Sequence, residues 1–366
     1  HGLCDVCISE IYPEGEPLKM LRADISKKLK NFDLDLRFEA EGGCLGILGP
    51  SGCGKSMTLK AVAGLVRPDR GQIRRDDRVL FDSGRGIDLP PQKRKVGYLF
   101  QHYALFPNMT VAQNIEAGLL RSRQDRSARR ERVEKLIRRF RLEGLENQYP
   151  AHISGGQQQR TALARIFASD AKCILLDEPF SAMDSYLREE MQMELARMIR
   201  EFEGCMVLVS HDRDEIYRLC GRTMIMEKGR DVICDQTQVL FDQPRKLAAA
   251  RLTGCKNISR VQKAGDFQVY ADDWNVMLRT GTKVSDTVTH VGIRAHDILP
   301  AARGEDVPNR IRVLSAEKVS SPFEWTLIFQ NRDHPGAGIW MKSDRSQHQI
   351  PDEVTVDPSK ILLLEE

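Results

Sequence analysis

The residues with the clearest capacity for chemistry form a glycine-rich stretch, Gly49 to Ser56, that reads Gly-Pro-Ser-Gly-Cys-Gly-Lys-Ser. The spacing matches G-x-x-x-x-G-K-[ST], in which backbone N–H groups surround phosphate oxygens at a helix N-terminus. Lys55 is expected to reach the β- and γ-phosphates of ATP, and the Ser56 hydroxyl to ligate Mg²⁺. The predicted nucleotide contacts here are Gly49, Pro50, Ser51, Gly52, Cys53, Gly54, Lys55, Ser56 and Met57.

Two acidic residues, Asp177 and Glu178, directly follow the apolar run from Cys173 to Leu176. An apolar run of this length predicts a buried strand, so both acids stand at a strand end. This arrangement places Asp177 beside the magnesium and Glu178 near the γ-phosphate. Glu178 is therefore the predicted catalytic base, since a carboxylate there can orient and polarise the attacking water.

The segment Ser154-Gly155-Gly156-Gln157, followed by Gln158, Gln159 and Arg160, gives the chain a specific resemblance to the ABC ATPases. In that family, this motif contacts the γ-phosphate that is bound on the opposite subunit. The resemblance implies a homodimer in which Ser154, Gly155, Gly156 and Gln157 complete the partner's nucleotide site. The physical attraction is that of an anion to a helix N-terminus.

Three further positions match the family in its usual order. Gln101 resembles the glutamine that senses magnesium and the membrane partner. Asp184 resembles the acid that organises the dimer interface, and His211 the histidine that contacts the γ-phosphate. The resemblance thus implies catalytic roles for Glu178, His211 and Gln101, with Ser56, Gln101 and Asp177 at the metal.

The elements that must position these residues alternate between strand and helix. A short apolar run, Leu45 to Leu48, precedes the glycine-rich stretch, and a helix is predicted from Lys55 to Ala63. A second buried strand is predicted from Met206 to Val209, after a long helix from Ser185 to Glu203. Partial alternation from Ile25 to Phe38 indicates a half-buried strand near the start of the fold. The pattern predicts an α/β core.

Two domains are expected, because 366 residues exceed the usual size of a single core. We assign residues 20–250 to the ATPase domain, with an arginine-rich helical subdomain at about 105–165. From residue 255 to 366, short β-like runs between turn residues predict a small all-β domain. Residues 1–19 are interpreted as a leader or extension, because the segment from Met20 to Ala23 reads like the start of a first strand. They show no basic region followed by an apolar core and so do not resemble a secretory signal.

Composition excludes several classes. The chain contains 41% hydrophobic and 29% charged residues, which is typical of a folded globular protein. No apolar stretch has the length needed to span a bilayer, so a membrane role requires a partner. The nine cysteines lack the paired spacing of a zinc site or disulfide framework, apart from an isolated Cys4-x-x-Cys7, and a reducing cytoplasm fits them best.

A finer resemblance extends over residues 21–366, to the ATPase subunits of molybdate and related oxyanion importers. It includes the segments 78–82, 87–91, 93–100 and 105–110, and Val291 to Asp297 in a C-terminal part similar to their regulatory β-barrel, an OB-like domain. It implies transmembrane permease subunits as partners, an extracellular or periplasmic substrate-binding protein that acts indirectly, and a place on the cytoplasmic face of the membrane. Importers of sulfate, ferric iron, polyamines and sugars share this layout.

Three alternatives stay open. The arginines between Arg121 and Arg141 are the one hint of a soluble ABC ATPase that acts on nucleic acid or ribosomes, although such a run typically forms a solvated helical face. The β domain is either a structural dimerisation module or an oxyanion sensor. Phe32 is a candidate for stacking on adenine and, equally, for a core strand residue.

Overall fold

The structure of the 366-residue chain is a computed structural model. Its described residues form two compact units that divide after Thr237, and each unit is considered by itself. The predicted leader, residues 1–19, and Gln101 lie outside the described residues. The structure describes residues 20–30, 32–100, 103–120, 125–302, 306–320, 324–344 and 350–366.

The strands of the first unit form a single mixed sheet in the described part of the chain. Their order across the sheet is β6-β5-β4-β1-β2-β11-β10-β3-β9-β8-β7. Their bounds are β1 Met20–Lys28, β2 Asp33–Glu41, β3 Gly43–Leu48, β4 Arg70–Arg75, β5 Arg78–Asp82, β6 Ile87–Asp88, β7 Val96–Leu99, β8 Cys173–Asp177, β9 Cys205–Ser210, β10 Arg222–Glu227 and β11 Arg230–Gln236.

Helices of the first unit follow the expected alternation with the strands. A 3-10 turn, Pro150–His152, precedes the helix that begins at Gly155. The α-helices are α1 Lys55–Ala63, α2 Pro91–Arg94, α3 Val111–Ala117, α4 Arg126–Arg139, α5 Gly155–Ala168, α6 Ser185–Glu201 and α7 Arg213–Leu219.

The parallel part of the sheet determines where the loops meet. β3 pairs with β9, and β9 with β8, all in parallel. In this register Leu48 is opposite Ser210, and Asp177 is opposite Val209. The three carboxyl ends therefore lie side by side at one edge of the sheet, where ligand sites of open α/β sheets form. Every residue of β8 and β9 is buried, as expected of strands covered on both faces.

The antiparallel part of the sheet corrects one prediction. The partly alternating segment from Ile25 to Phe38 is not one strand: it contains the end of β1, a turn and most of β2, which pair as a hairpin. Both strands bury the same face of the sheet. The buried positions change from odd numbers in β1 to even numbers in β2, and this shift in the alternation marks the reversal of the chain. The side chains that point inward from the hairpin are Leu21, Ala23, Ile25, Leu34, Leu36, Phe38 and Ala40.

The region predicted as a helical subdomain contains α3, α4 and α5. Each begins at a side chain that accepts a hydrogen bond from the first turn: Thr110 for α3, Asp125 for α4 and Ser154 for α5. Such caps satisfy backbone N–H groups that have no partner inside the helix. α4 buries Val133, Leu136 and Ile137, and three of its six arginines are exposed while the other three are half-buried. Among the described residues, no helix is both long and apolar enough to cross a membrane.

In its described residues, the second unit is all-β apart from a 3-10 turn, Pro358–Lys360, and two short α-helices, α8 Thr237–Asp242, which begins at the division, and α9 Leu247–Leu252. Two five-stranded sheets share one core that includes Trp274, Phe329 and Met341. The expected order, an α/β unit followed by a small all-β unit, is confirmed. The strands are β12 Asn257–Gly265, β13 Gln268–Ala271, β14 Val276–Arg279, β15 His290–Ile293, β16 Ile298–Pro300, β17 Ile311–Ser320, β18 Glu324–Asn331, β19 Ile339–Asp344, β20 Glu353–Val356 and β21 Leu362–Leu364.

The expected domain boundary near residues 250–255 stays a prediction, and the change in compactness falls earlier, after Thr237. Helix α9 accounts for the earlier division. Its Ala250 packs with Cys255 and with Leu364 of β21 in a small apolar cluster. Because those contacts involve C-terminal strands, α9 belongs with the second unit.

A buried arginine fixes the far end of α1. Arg94 is fully buried, and its guanidinium donates to the carbonyls of Ala61, Val62 and Leu89 and to the carboxylate of Asp88. A cation at a helix C-terminus also complements the helix dipole. Arg94 thereby connects α1 to the segment that enters β7.

We predict that Arg94→Leu lowers the free energy of unfolding by at least about 2 kcal/mol, because buried carbonyl groups lose their donors. Arg67→Leu is the matched control: Arg67 lies 3.7 Å from the same Asp88 but its side chain is 70% exposed. That change should stay within about 0.5 kcal/mol of the parent. Urea unfolding of the full chain measures both, and equal effects would contradict the role given to Arg94.

Candidate functional site

The glycine-rich loop joins β3 to α1 and has the backbone that phosphate binding requires. Gly52 and Gly54 have φ angles of 79° and 110°, in the left-handed region that favours glycine. At Gly49 a side chain is excluded for another reason, since its Cβ would lie 2.4 Å from the carbonyl oxygen of Met226. At these three glycines, the backbone of the loop is therefore free of side chains next to the N-terminus of α1, where the sequence predicts phosphate binding.

Lys55 lies across this loop and is only 7% exposed. Its Nζ donates to the carbonyls of Gly49, at 2.7 Å, and Pro50, at 2.9 Å. Gly49 and Pro50 are the first residues of the loop, so the Lys55 side chain crosses the space that the loop backbone encloses. An ammonium group held by neutral carbonyls has no countercharge there, which favours exchange of one carbonyl for an anionic oxygen.

The Ser56 hydroxyl and the Asp177 carboxylate form the candidate metal position. Ser56 Oγ donates to Asp177 Oδ1 at 2.8 Å, and the Tyr98 hydroxyl donates to Asp177 Oδ2 at 3.0 Å. Hydroxyl and carboxylate oxygens are the ligands that Mg²⁺ takes in proteins, usually together with water and substrate phosphates. The residues present therefore fit a magnesium nucleotide.

Tyr98 was not predicted from the sequence, although it lies in the strand that precedes Gln101. Burial, reinforced by the charge of Asp177, raises the pKa of Tyr98 well above its ordinary value. The phenol thus stays protonated and keeps its hydrogen bond to the carboxylate. A tyrosine in a short apolar strand gives no sequence signal for this role, because its partner is 79 residues away.

Glu178 and His211 meet at the carboxyl ends of β8 and β9. Nδ1 of His211 lies 2.8 Å from Oε2 of Glu178, and an ionised Glu178 accepts this bond from a protonated Nδ1. The Glu178 side chain is 20% exposed and that of His211 is 68% exposed, so the pair faces solvent. The structure thus brings together two of the residues predicted to be catalytic.

A buried acid supports the segment that contains His211. Ser210 Oγ donates to Glu215 Oε2 at 2.7 Å and accepts from the backbone N–H of Asp212 at 2.9 Å. Asp212 in turn caps α7. Burial raises the pKa of Glu215, whereas the bond from Ser210 opposes that shift. The sequence analysis missed Glu215, which the one-turn spacing from His211 could have indicated.

Ser154 begins α5 through a reciprocal pair of bonds. Its Oγ accepts from the backbone N–H of Gln157 at 3.3 Å, and Gln157 Oε1 accepts from the backbone N–H of Ser154 at 2.8 Å. This capping box fixes the first turn. Gly155 and Gly156 follow, near Ala182. Among the described residues, no hydrogen bond connects Ser154–Gln157 with the phosphate loop of the same chain.

The remaining predicted positions divide into described and undescribed residues. Asp184 caps α6 by accepting from the backbone N–H of Leu187 at 2.9 Å. Gln101 lies outside the described residues, so its predicted roles are not tested. The two residues that follow the gap, Tyr103 and Ala104, have left-handed φ angles, and their carbonyls accept from Arg165 of α5.

Two further candidates lie beside the phosphate loop. Phe32 is half-buried against the core, and its ring edge would be 3.1 Å from a Cβ placed on Gly54, so it borders the loop. Its role in adenine stacking stays a prediction. The Cys53 thiol is 6% exposed, and burial raises its pKa in spite of the opposing charge of Lys55.

Comparisons with known proteins agree with this geometry. A family model described as ABC transporter matches residues 29–181. The chain is similar to the spermidine/putrescine import ATP-binding protein of Bacillus cereus, with 38% identity over 66% of this chain and 71% of that protein. The Fe(3+) ions import ATP-binding protein of Haemophilus influenzae is 37% identical over 60% of this chain and 62% of its own.

The molybdenum import ATP-binding protein of Paramagnetospirillum magneticum is 37% identical over 62% of this chain and 61% of its own length. A solved ATP-binding cassette, dimeric and bound to ADP and Pi after hydrolysis, shares 27% identity. It superposes with a TM-score of 0.52 over 59% of this chain and 98% of its own.

The P-loop, the paired acids at the end of β8 and the capped Ser-Gly-Gly helix define a P-loop nucleotide-binding protein. The chain belongs to the ABC transporter family, as an ATP-binding protein related to those of importers. The chain spans 57% to 60% of the length of three further spermidine/putrescine relatives.

We predict that Glu215→Gln stabilises the protein more at about pH 8 than at about pH 5. Because burial raises the pKa of Glu215 in the folded state, its stabilising contribution is present below the ordinary pKa and is lost as the pH rises through the raised value. A tenfold change in an acid dissociation constant corresponds to about 1.4 kcal/mol, and a neutral glutamine avoids this loss. Chemical unfolding at both pH values measures the difference.

Asp214→Asn on the same helix is the control, because the Asp214 side chain is 73% exposed. Its effect on stability should be equal at the two pH values. A Glu215→Gln effect that is likewise independent of pH would show that this carboxyl does not titrate differently in the folded and unfolded states.

Proposed function

We propose that this chain hydrolyses ATP with Mg²⁺ and thereby drives an ABC importer from the cytoplasmic face of the cell membrane. One observation carries the proposal: Glu178 and His211 form a contact at the same sheet edge that holds the phosphate loop and the Ser56–Asp177 pair. A base, an imidazole and a phosphate site side by side are the arrangement that phosphoryl transfer to water needs.

Each residue of the site has a separate proposed role. Lys55 leaves one loop carbonyl and binds the β- and γ-phosphates, which the backbone N–H groups of the loop also contact. Ser56 and Asp177 would hold Mg²⁺, which supplies positive charge to the phosphate oxygens. Glu178 orients a water molecule and accepts its proton at the carboxylate, while His211 keeps the carboxylate aimed through Nδ1.

A homodimer follows from the position of Ser154. In one chain the first turn of α5 is capped by its own side chains, and at the helix N-terminus Gly155 is exposed and Gly156 is half-buried. A helix N-terminus attracts anions. We propose that Ser154 to Gln157 contact the γ-phosphate held by a second copy, which completes each site. The solved relative described as dimeric supports this arrangement.

The membrane partners are proposed from the kind of relatives. Their names identify import ATP-binding proteins, so transmembrane permease subunits are the expected partners and a substrate-binding protein acts indirectly. For the substrate, we propose molybdate or a related oxyanion, as the sequence resemblance implies. Polyamines and ferric iron are the competing substrates, because relatives with those names match at equal identity.

Nucleic acid is not an expected partner. Several arginines of the basic segment are already paired with acids: Arg130 with Glu134, and Arg139 with Glu194 and Glu201 of α6. Arg141 is likewise paired with Glu190. Such pairing is typical of a helix that packs beside another helix, and it lowers the charge available for phosphates.

The second unit is proposed to regulate transport by binding the transported oxyanion. Calorimetry of the full chain with molybdate, and with sulfate as the control anion, tests this role. Heat that remains after ATP has filled the nucleotide site would support a sensor. No heat with either anion would leave a structural dimerisation module.

We predict that Glu178→Gln lowers the rate of ATP hydrolysis by about a hundredfold or more, since general base catalysis is typically worth that much. ATP binding should be retained, because Lys55 and the loop are unchanged, and the variant should accumulate as an ATP-bound dimer. Steady-state hydrolysis, nucleotide binding and size-exclusion chromatography measure the three effects. Glu131→Gln, at an exposed position on α4, is the control and should hydrolyse ATP at the parental rate.

Hydrolysis by Glu178→Gln at the parental rate would remove Glu178 as the base. A variant that binds ATP and stays monomeric would instead argue against the shared site. Because the control differs by the same carboxylate-to-amide change, a general effect of lost charge is distinguished from both results.

The same variant tests the predicted partners. Tagged Glu178→Gln, purified from native membranes with ATP, should bring down a polytopic permease, which mass spectrometry identifies. Uptake of molybdate, spermidine and ferric iron by cells that express this system then decides the substrate. Recovery of ribosomal proteins alone would contradict the importer proposal and leave the ATPase proposal intact.

A further inference from the structure

Gln159 of α5 lies outside the predicted site, yet its amide contacts the predicted base. The residue is fully buried. Its Nε2 donates to the backbone carbonyl of Glu178 at 3.2 Å, and its Oε1 accepts from the backbone N–H of Ala182 at 3.3 Å. One side chain thus contacts both ends of the turn that follows β8.

The backbone of Glu178 needs such support. Its φ angle is 51°, in the left-handed region that residues with a side chain seldom adopt. The Glu178 N–H donates to the carbonyl of Val209 at 3.0 Å, which fixes one side of the residue to β9. On the other side, the Glu178 carbonyl accepts from Gln159 and from the N–H and hydroxyl of Ser181. The strained conformation persists because these bonds hold it from two sides.

Resting on the function proposed above, we propose that Gln159 is a positioning residue that holds Glu178 in its catalytic orientation. A second consequence concerns the turn itself, because Ala182 lies two residues before Asp184, which caps α6. The Gln159 amide therefore connects the helix that begins at Ser154 to both Glu178 and the turn that leads to Asp184.

The Gln159 amide satisfies both contacts at once, because its NH₂ group donates and its oxygen accepts at the end of a side chain of this length. An ionised glutamate would keep the acceptor for Ala182 and lose the donor to Glu178, whereas a protonated one would keep both. The neighbouring Gln158 shows that the sequence motif alone does not define the role. Its Nε2 donates instead to Pro150 and Ile153, ahead of Ser154.

The test uses Gln159→Met in the full chain, which keeps length and removes both bonds. Gln192→Met is the matched control: Gln192 is also a buried glutamine, and its Oε1 accepts from Arg218 between α6 and α7. We expect Gln159→Met to lower kcat by about tenfold to a hundredfold, as small misplacements of a reacting group do, with KM for ATP unchanged. Gln192→Met should hydrolyse ATP at the parental kcat even where its melting temperature falls.

A double variant separates positioning from general damage. The residual hydrolysis of radiolabelled ATP by Glu178→Gln is measured in a single turnover, with and without Gln159→Met. If Gln159 acts through Glu178, adding Gln159→Met to Glu178→Gln should not lower this rate further. An equal fold-loss in both backgrounds, or a parental kcat for Gln159→Met, overturns the proposal. Loss of kcat in both Gln159→Met and Gln192→Met also overturns it.

The proposed function fails separately, through absence of hydrolysis by the parent protein, before any variant is compared. Should Gln159→Met not fold, Gln159→Leu is measured in the same way, because it also removes both bonds. A parental kcat for a folded Gln159→Leu would likewise overturn the proposal.

Discussion

Parallel pairing of β3, β9 and β8 brings the phosphate loop, the paired acids and His211 to one place. Hydrogen bonds between these strands fix Leu48 opposite Ser210 and Asp177 opposite Val209. The loops that follow the three strands therefore begin at the same level of the sheet, and the phosphate loop, Glu178 and His211 are neighbours. Because all residues of β8 and β9 are buried, a slip in register would expose apolar side chains and is strongly disfavoured.

Buried polar groups then fix details that strand pairing leaves open. Arg94 donates four hydrogen bonds, two of them to carbonyls at the end of α1. Glu215 accepts from Ser210, and Gln159 contacts both ends of the turn after β8. Each of these side chains would be costly to bury without its partners. Their partners are mostly backbone carbonyls and polar side chains at the ends of helices and strands, so these bonds hold the ends of those elements in a single conformation.

Strain and support occur together at the predicted base. Glu178 adopts a left-handed backbone between two strands, and Tyr98 keeps its proton beside Asp177 because burial disfavours the charged phenolate. The two acids have different partners: Asp177 faces Ser56, and Glu178 faces His211. The two neighbouring carboxylates therefore contact different groups. This separation suits Asp177 to bind a cation and Glu178 to accept a proton.

Residue types at fixed short spacing were enough to predict the phosphate loop, the paired acids and the capped Ser-Gly-Gly helix. The backbone conformation needed at Gly52 and Gly54, and the helix cap formed by a serine before two glycines, depend on residues close together in the sequence. The amino-acid pattern also indicated an α/β unit followed by β strands, since periodicity and length distinguish buried strands from helices.

The distant side chains that support those motifs became evident only in the folded chain. The partners of Tyr98, Gln159 and Arg94 lie between 5 and 79 residues away, and no local pattern relates them. The hairpin of β1 and β2 was predicted as one strand, although the buried positions change from odd numbers in β1 to even numbers in β2 where the chain reverses. Burial and long-range hydrogen bonding are properties of the packed fold, so they appear only once the strands have paired.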